Sequence, residues 1–213
     1  MKIKKLGHSC LVININGAKI MLDPGKYSLS QVEERDIDII LITHEHSDHC
    51  HLESIKKILE NNPQAEIITN FSVGKILEKE SINYAMIEDG QKVVSHGVTI
   101  IGVGKLHIEA HRRIPVVPNT GFIINDKFFY PGDALHIPKH KVEVVAFPVG
   151  GGFLKISEVV EWLETLKPKV AIPVHDGLLN EDGKKTFYKN YQNILTGTGI
   201  EFKALEVNKE EEF

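Results

Sequence analysis

Short apolar blocks separated by turn residues open the chain. Residues 11–15 and 18–22 are strand-like runs flanking Asn16-Gly17, a pair suited to a two-residue hairpin. Residues 37–43 form a block rich in β-branched side chains, which reads as a buried strand. Leu52, Ile55, Ile58 and Leu59 have helical spacing, so residues 52–60 are predicted as a helix ended by Asn61-Asn62-Pro63. A strand over 67–69 and a helix over 73–79 follow. Further strands are expected at 98–103, 121–125, 127–130, 142–149, 170–174 and 200–205, with helices at 156–166 and 184–195. Residues 209–213 are expected to be a solvated charged tail. Hairpins at the start, then alternating strands and helices, favour an α/β sandwich of two facing sheets with helices outside. A doubly wound parallel sheet would not begin with hairpins.

The 213 residues are enough for one sizeable core without disulfides, so a single domain over 1–213 is expected. The net charge of −4 carries no basic stripe for nucleic acid and no polybasic membrane anchor. No run has the length of a membrane span. Two cysteines, Cys10 and Cys50, and no secretory leader point to a reducing cytoplasm. No Gly-x-Ser-x-Gly elbow supports a serine hydrolase, and the glycine clusters at 102–104 and 150–152 fit neither a dinucleotide fingerprint nor a P-loop.

Histidine changes the picture, because there are eleven. The run His44-Glu45-His46-Ser47-Asp48-His49 follows directly on a predicted buried strand. Side chains two apart in extended backbone share a side, so His44 and His46 can reach one ion. Asp48 and His49 begin the turn into the next helix and can face a neighbouring position. Imidazole and carboxylate together suit zinc, manganese or iron. Position 48 is Asp, so this is not the zincin helix motif.

The pattern His-x-His-x-Asp-His resembles the signature of the metallo-β-lactamase superfamily. Gly7-His8-Ser9-Cys10, Leu22-Asp23-Pro24, Ala110-His111, Gly121-Phe122, Tyr130-Pro131-Gly132-Asp133, Phe147-Pro148-Val149-Gly150-Gly151 and the run ending in His175 resemble its ascorbate-6-phosphate lactonase-like and metal-dependent hydrolase subgroup. The resemblance implies an αββα sandwich with the site at one edge between the sheets. It implies a first ion, zinc by analogy, on His44, His46 and His111. Asp48, His49 and His175 would hold a second, with Asp133 between them. It prefers His111 over His107 as the third ligand, by its distance to Gly121-Phe122. Asp48 also acquires a catalytic role, orienting the attacking water. The chain departs from the subgroup at Ala134, where Thr is usual, and at Gly152-Phe153-Leu154-Lys155.

Three other residues are placed near the site: His8 as a substrate or supporting contact, Asp23 as the partner of a ligand histidine, and His136 near the substrate. The expected activity is hydrolysis of an ester, lactone or phosphodiester of a small metabolite by water activated between two divalent ions. The resemblance favours a small polar metabolite as substrate, phosphorylated ones included. Alternatives are a phosphodiesterase or nuclease of the same superfamily, a di-iron redox protein that would draw on Glu109, or a metal-binding protein without catalysis.

Overall fold

The computed structural model describes residues 1–28 and 30–213. The first half of the chain runs β1 (Lys2–Gly7), β2 (Cys10–Ile15), β3 (Ala18–Leu22), β4 (Ile39–Ile42), α1 (Leu52–Asn61), β5 (Glu66–Thr69), α2 (Phe71–Lys79) and β6 (Ala85–Met86). The second half runs β7 (Lys92–Ser95), β8 (Val98–Val103), β9 (Gly121–Ile124), β10 (Phe128–Tyr130), β11 (Val144–Pro148), α3 (Ile156–Leu166), β12 (Val170–Val174), α4 (Glu181–Leu195) and β13 (Glu201–Phe202). β14 (Glu210–Glu212) returns to the first sheet.

Two mixed sheets result, ordered β14-β1-β2-β3-β4-β5-β6 and β13-β12-β11-β10-β9-β8-β7. Their facing sides share one apolar layer, in which Leu11, Ile13, Ile20 and Leu41 pack with Phe122, Phe128, Ala146 and Ile172. The outer side of the first sheet is covered by Ile55 and Ile58 of α1 and Val73 and Leu77 of α2. The outer side of the second is covered by Trp162 and Leu163 of α3 and Tyr191 and Leu195 of α4. The architecture is the expected αββα sandwich. β4 and β11 are buried at every position, as central strands covered on both faces must be.

Strand direction positions the site. β1, β3, β4 and β5 run parallel, because β2 is antiparallel to both β1 and β3. β8, β10, β11 and β12 are likewise parallel, with β9 antiparallel between β8 and β10. The carboxyl ends of these eight strands thus lie at one edge of each sheet. Open α/β sheets bind ligands outside such ends.

The expected free tail at residues 209–213 is instead β14. Lys2 pairs with Glu212, Ile3 with Glu211 and Lys4 with Glu210, so cross-strand charges are opposite. Lys203 reaches Glu211 at 3.0 Å and lies over the ring of Phe213. A highly charged segment forms a strand here because an edge strand needs only backbone partners and compensating charges.

Candidate metal centre

Each candidate side chain follows a strand end. His8 follows β1, Asp23 follows β3 and His44 lies two residues past β4. Asp133 lies three residues past β10, and His175 directly follows β12. Three of them hold left-handed backbone: His8 at φ 35°, Asp23 at 44° and His175 at 60°. Such positions are uncommon for residues other than glycine and cluster at functional sites. Gly25 lets the chain after Asp23 touch the metal-motif turn. A Cβ there would fall 1.6 Å from the Asp48 carbonyl oxygen. Asp133 is presented by a turn at Gly132, whose φ of +66° leaves no room for a side chain against Asn119 and Thr43. Asn119 clamps that turn, donating to the Pro131 carbonyl and accepting from the Asp133 N–H.

Oδ2 of Asp133 is the meeting point. It lies 3.0 Å from His175 Nε2, 3.3 Å from His49 Nε2, 3.3 Å from His107 Nε2 and 3.8 Å from His44 Nε2. His46 Nδ1 is 3.2 Å from His44 Nε2, and Asp48 Oδ2 is 3.5 Å from His175 Nε2. Two ligands about 2.0–2.1 Å from a tetrahedral ion stand about 3.3–3.4 Å apart. The observed separations therefore match the edges of coordination polyhedra.

The hydrogen bonds on the far side of each ring fix the tautomers. His107 Nδ1 donates to the Ile108 carbonyl and His175 Nδ1 to the Gly150 carbonyl, both at 2.6 Å. His49 Nδ1 donates to Asp23 Oδ2 at 2.6 Å. The Thr43 hydroxyl gives its one proton to Asp23 Oδ2 and so accepts from His44 Nδ1. In their neutral forms all four rings consequently turn Nε2 lone pairs toward a carboxylate. The Nε2 atoms of His49, His107 and His175 and Oδ1 of Asp133 are buried without a hydrogen-bond partner. Buried lone pairs facing one another are costly unless a cation lies between them. The donor set fits divalent metal. His44, His46, His107 and Asp133 form one group of four potential ligands, and His8, Asp48, His49 and His175 another.

His8 differs from the others in its second group. Its Nδ1 accepts from the Gly177 N–H at 2.9 Å, so Nε2 carries the proton and donates to Asp48 Oδ2 at 3.2 Å. It holds Asp48 in place and has no lone pair to offer. Asp23 is likewise saturated by the Thr43 N–H, the Thr43 hydroxyl and His49. Its Oδ2 holds the His49 Nδ1 proton.

The electrostatics follow. Burial alone would raise Asp133, yet His49 and His175 hold it well below the usual carboxylate range. Asp48 is also held low, against burial, by His175 and His8 beside it. Burial pushes His44 well down, keeping it neutral as a ligand must be. For His175, burial acts downward but is overcome by Asp133 and Asp48, which lift it to about 9. Burial drives the Cys50 thiol up to about 12 and Cys10 well above its usual value, so neither is a thiolate ligand or nucleophile.

Two expectations are corrected. His111 is exposed, and its ring accepts from the Arg113 N–H, outside the cluster. His107 takes its place. A bridge between Leu106 and Pro118 and bonds from the His107 N–H to Val117 and the Ile108 N–H to Asp133 pin it there. His136 bonds the Leu106 carbonyl and packs on Gly104 along a different cavity, away from the cluster. His107 is the histidine nearest the end of β8, and the other residues of the cluster also follow strand ends. Glu109 is exposed, which removes the carboxylate on which the redox reading drew.

A cavity of about 220 Å³ lies against the cluster, between the loop that carries His107, the Gly151-Gly152-Phe153 segment and Leu178. His46, Asp48, His107, Asp133 and His175 form its polar wall.

The profile of the beta-lactamase superfamily domain matches residues 2–175. Protein Rv0786c of Mycobacterium tuberculosis is 29% identical over 201 residues, covering 92% of this chain and 93% of that protein. The UPF0173 metal-dependent hydrolase Ta0764 of Thermoplasma acidophilum is 26% identical over 189 residues, covering 82% and 83%. Among solved structures, Igni18, a metallo hydrolase of Ignicoccus hospitalis, superposes with a TM-score of 0.75 at 19% identity over 100% of this chain and 98% of that one. The matched profile, the αββα architecture and the histidine and aspartate cluster agree: the chain belongs to the metallo-β-lactamase superfamily.

Proposed function

We propose that the protein is a metal-dependent hydrolase with two ions, acting on an ester, lactone or phosphodiester of a small molecule. His44, His46 and His107 would hold one ion, Asp48, His49 and His175 the other, with Asp133 Oδ2 shared. The observation that carries the reading is the convergence of four Nε2 lone pairs on one buried carboxylate oxygen. When bound, such a pair of ions supplies Lewis acidity and a water acidic enough to be a nucleophile near neutral pH. Zinc suits the histidine-rich donor set, and manganese or iron(II) also satisfies it.

The chain's own residues do the rest. Asp48 faces the cavity with a carboxylate kept ionised, placed to orient the attacking water. His8 fixes Asp48, while Asp23 and Thr43 fix the rings of His49 and His44. Gly150 anchors His175 through its carbonyl. Two buried free cysteines fit a cytoplasmic location. No helix among the described residues is long and apolar enough to cross a membrane.

The test is elemental analysis of freshly purified protein combined with a panel of esters, lactones and phosphodiesters. Two equivalents of metal and chelator-sensitive turnover are expected. Stoichiometric metal with no turnover on any class would return the protein to a non-catalytic role.

A further inference from the structure

The wall of the cavity opposite the candidate ligands is hydrocarbon. Ile108, Ile114, Val116, Val117, Phe153 and Leu178 line it. Among the described residues, its charged and polar side chains are all members of the metal cluster. No lysine or arginine lines it, so outside the metal cluster no side chain offers a counter-charge to a pendant phosphate or phosphonate. Arg112 and Arg113 sit at the tip of the same loop, inside the turn closed by the Ile114 N–H on the His111 carbonyl, and neither lines the cavity. Ile114 and Leu178 stand 56% and 62% exposed at the mouth, and Val116 37%. Apolar side chains left in water beside a polar centre mark a surface that a ligand covers. Phe153 lies edge-on to His107 at 4.7 Å and to His175 at 5.6 Å, so the hydrocarbon wall reaches the metal cluster itself.

From this we infer that the site takes an uncharged substrate whose scissile carbonyl carries a short hydrocarbon group, seated between Ile114, Val116, Phe153 and Leu178. This rests on the two-ion hydrolase reading and departs from the small polar metabolite that the family resemblance favours. The volume limits the group's size, because pockets for drug-sized ligands span roughly 300–1,000 Å³ and this one is about 220 Å³. An acyl ester or alkyl-substituted lactone meets these requirements. Hydrolysis adds water across the acyl C–O bond: the carbonyl carbon gains the hydroxyl and the leaving oxygen takes the proton.

Straight-chain alkyl hydroxamates, from acetohydroxamate to hexanohydroxamate, report on the pocket without turnover, since they chelate metal at the head and carry hydrocarbon at the tail. Titrated against zinc-loaded protein, their affinity should rise about threefold to fourfold per methylene until the cavity is full. In Ile114→Asn/Val116→Asn, whose altered side chains are on the surface, the rise should drop below about twofold per methylene, with zinc content unchanged. Equal affinity for the shortest and longest members would overturn the inference, as would tighter binding of phosphoglycolohydroxamate than of hexanohydroxamate. Acetyl and hexanoyl esters are assayed in parallel. Chain-length-dependent binding without hydrolysis of any ester, lactone or phosphodiester would sink the hydrolase reading and keep the apolar pocket. Hydrolysis with flat binding would do the reverse.

Discussion

His107 and His111 are four positions apart on one loop, and only one of them reaches Asp133. His107→Ala removes an Nε2 lone pair from the first group of ligands. It should lower metal content by about one equivalent, whereas His111→Ala should leave both content and turnover within about twofold, as most surface substitutions do. Elemental analysis of the two variants decides between them. Asp23→Asn keeps the shape of the side chain but weakens the hold on the His49 Nδ1 proton. Loss of such an outer partner lowers metal affinity roughly 10–100-fold, measurable by competition with a chromogenic chelator. An unchanged affinity would show that Asp23 serves only Thr43. The motif at 44–49 was legible because four donor residues fall within six positions after an apolar strand. His107 was not, because its loop has no hydrophobic period and its position is set by contacts with residues 117, 118 and 133.

Among the elements, the turn after β12 depends on the far end of the chain. Lys5 of β1 is buried and donates to Asp176 at 2.7 Å and to the Pro173 carbonyl at 3.0 Å, while Tyr188 of α4 also bonds Asp176. The side chains of Lys5 and Asp176 are only 1% and 4% exposed, so this pair is shielded from solvent screening. Lys5→Met would leave Asp176 as an unpaired buried charge, at a cost of roughly 3–5 kcal/mol. Urea denaturation checks this, and a change under about 1 kcal/mol would contradict it. Most core strands and the four long helices were readable from β-branched blocks and helical spacing, with boundaries differing by a few residues. α4 begins at Glu181 rather than 184, capped by Asn180 accepting from the Gly183 N–H. β1 and β14 escaped notice because charged residues fill half or more of their positions, and β6 and β7 because so few residues carry no pattern. β6, β7 and β14 are edge strands, which pairing rather than composition defines.

For the molecule as a whole, the cluster couples folding, protons and metal. His175 is raised to about 9, and His49 is raised too, because nearby carboxylates outweigh burial. A histidine whose folded value exceeds its unfolded value of about 6.5 stabilises fully below that value. The contribution fades as pH rises through about 9. Chelator-stripped protein should therefore lose stability between these limits. Metal displaces the same protons, so its binding strengthens over the same interval. The gap in melting temperature between metal-loaded and stripped protein should widen from about pH 6.5 to 9. A gap that stays constant or narrows would contradict the coupling. The sandwich and the use of strand ends were foreseeable from the order of apolar blocks. The hydrocarbon face of the cavity was not, because Ile108, Ile114, Val116, Phe153 and Leu178 are scattered over loops and meet only when the sheets close.

The most direct measurement is an anomalous difference map at the zinc edge from crystals grown with excess zinc. The account predicts two strong peaks flanking Asp133 Oδ2, one among His44, His46 and His107 and one among Asp48, His49 and His175, each about 2.0–2.2 Å from its ligands. A single peak, a peak centred on His111, or no density between the imidazoles at saturating zinc would contradict it.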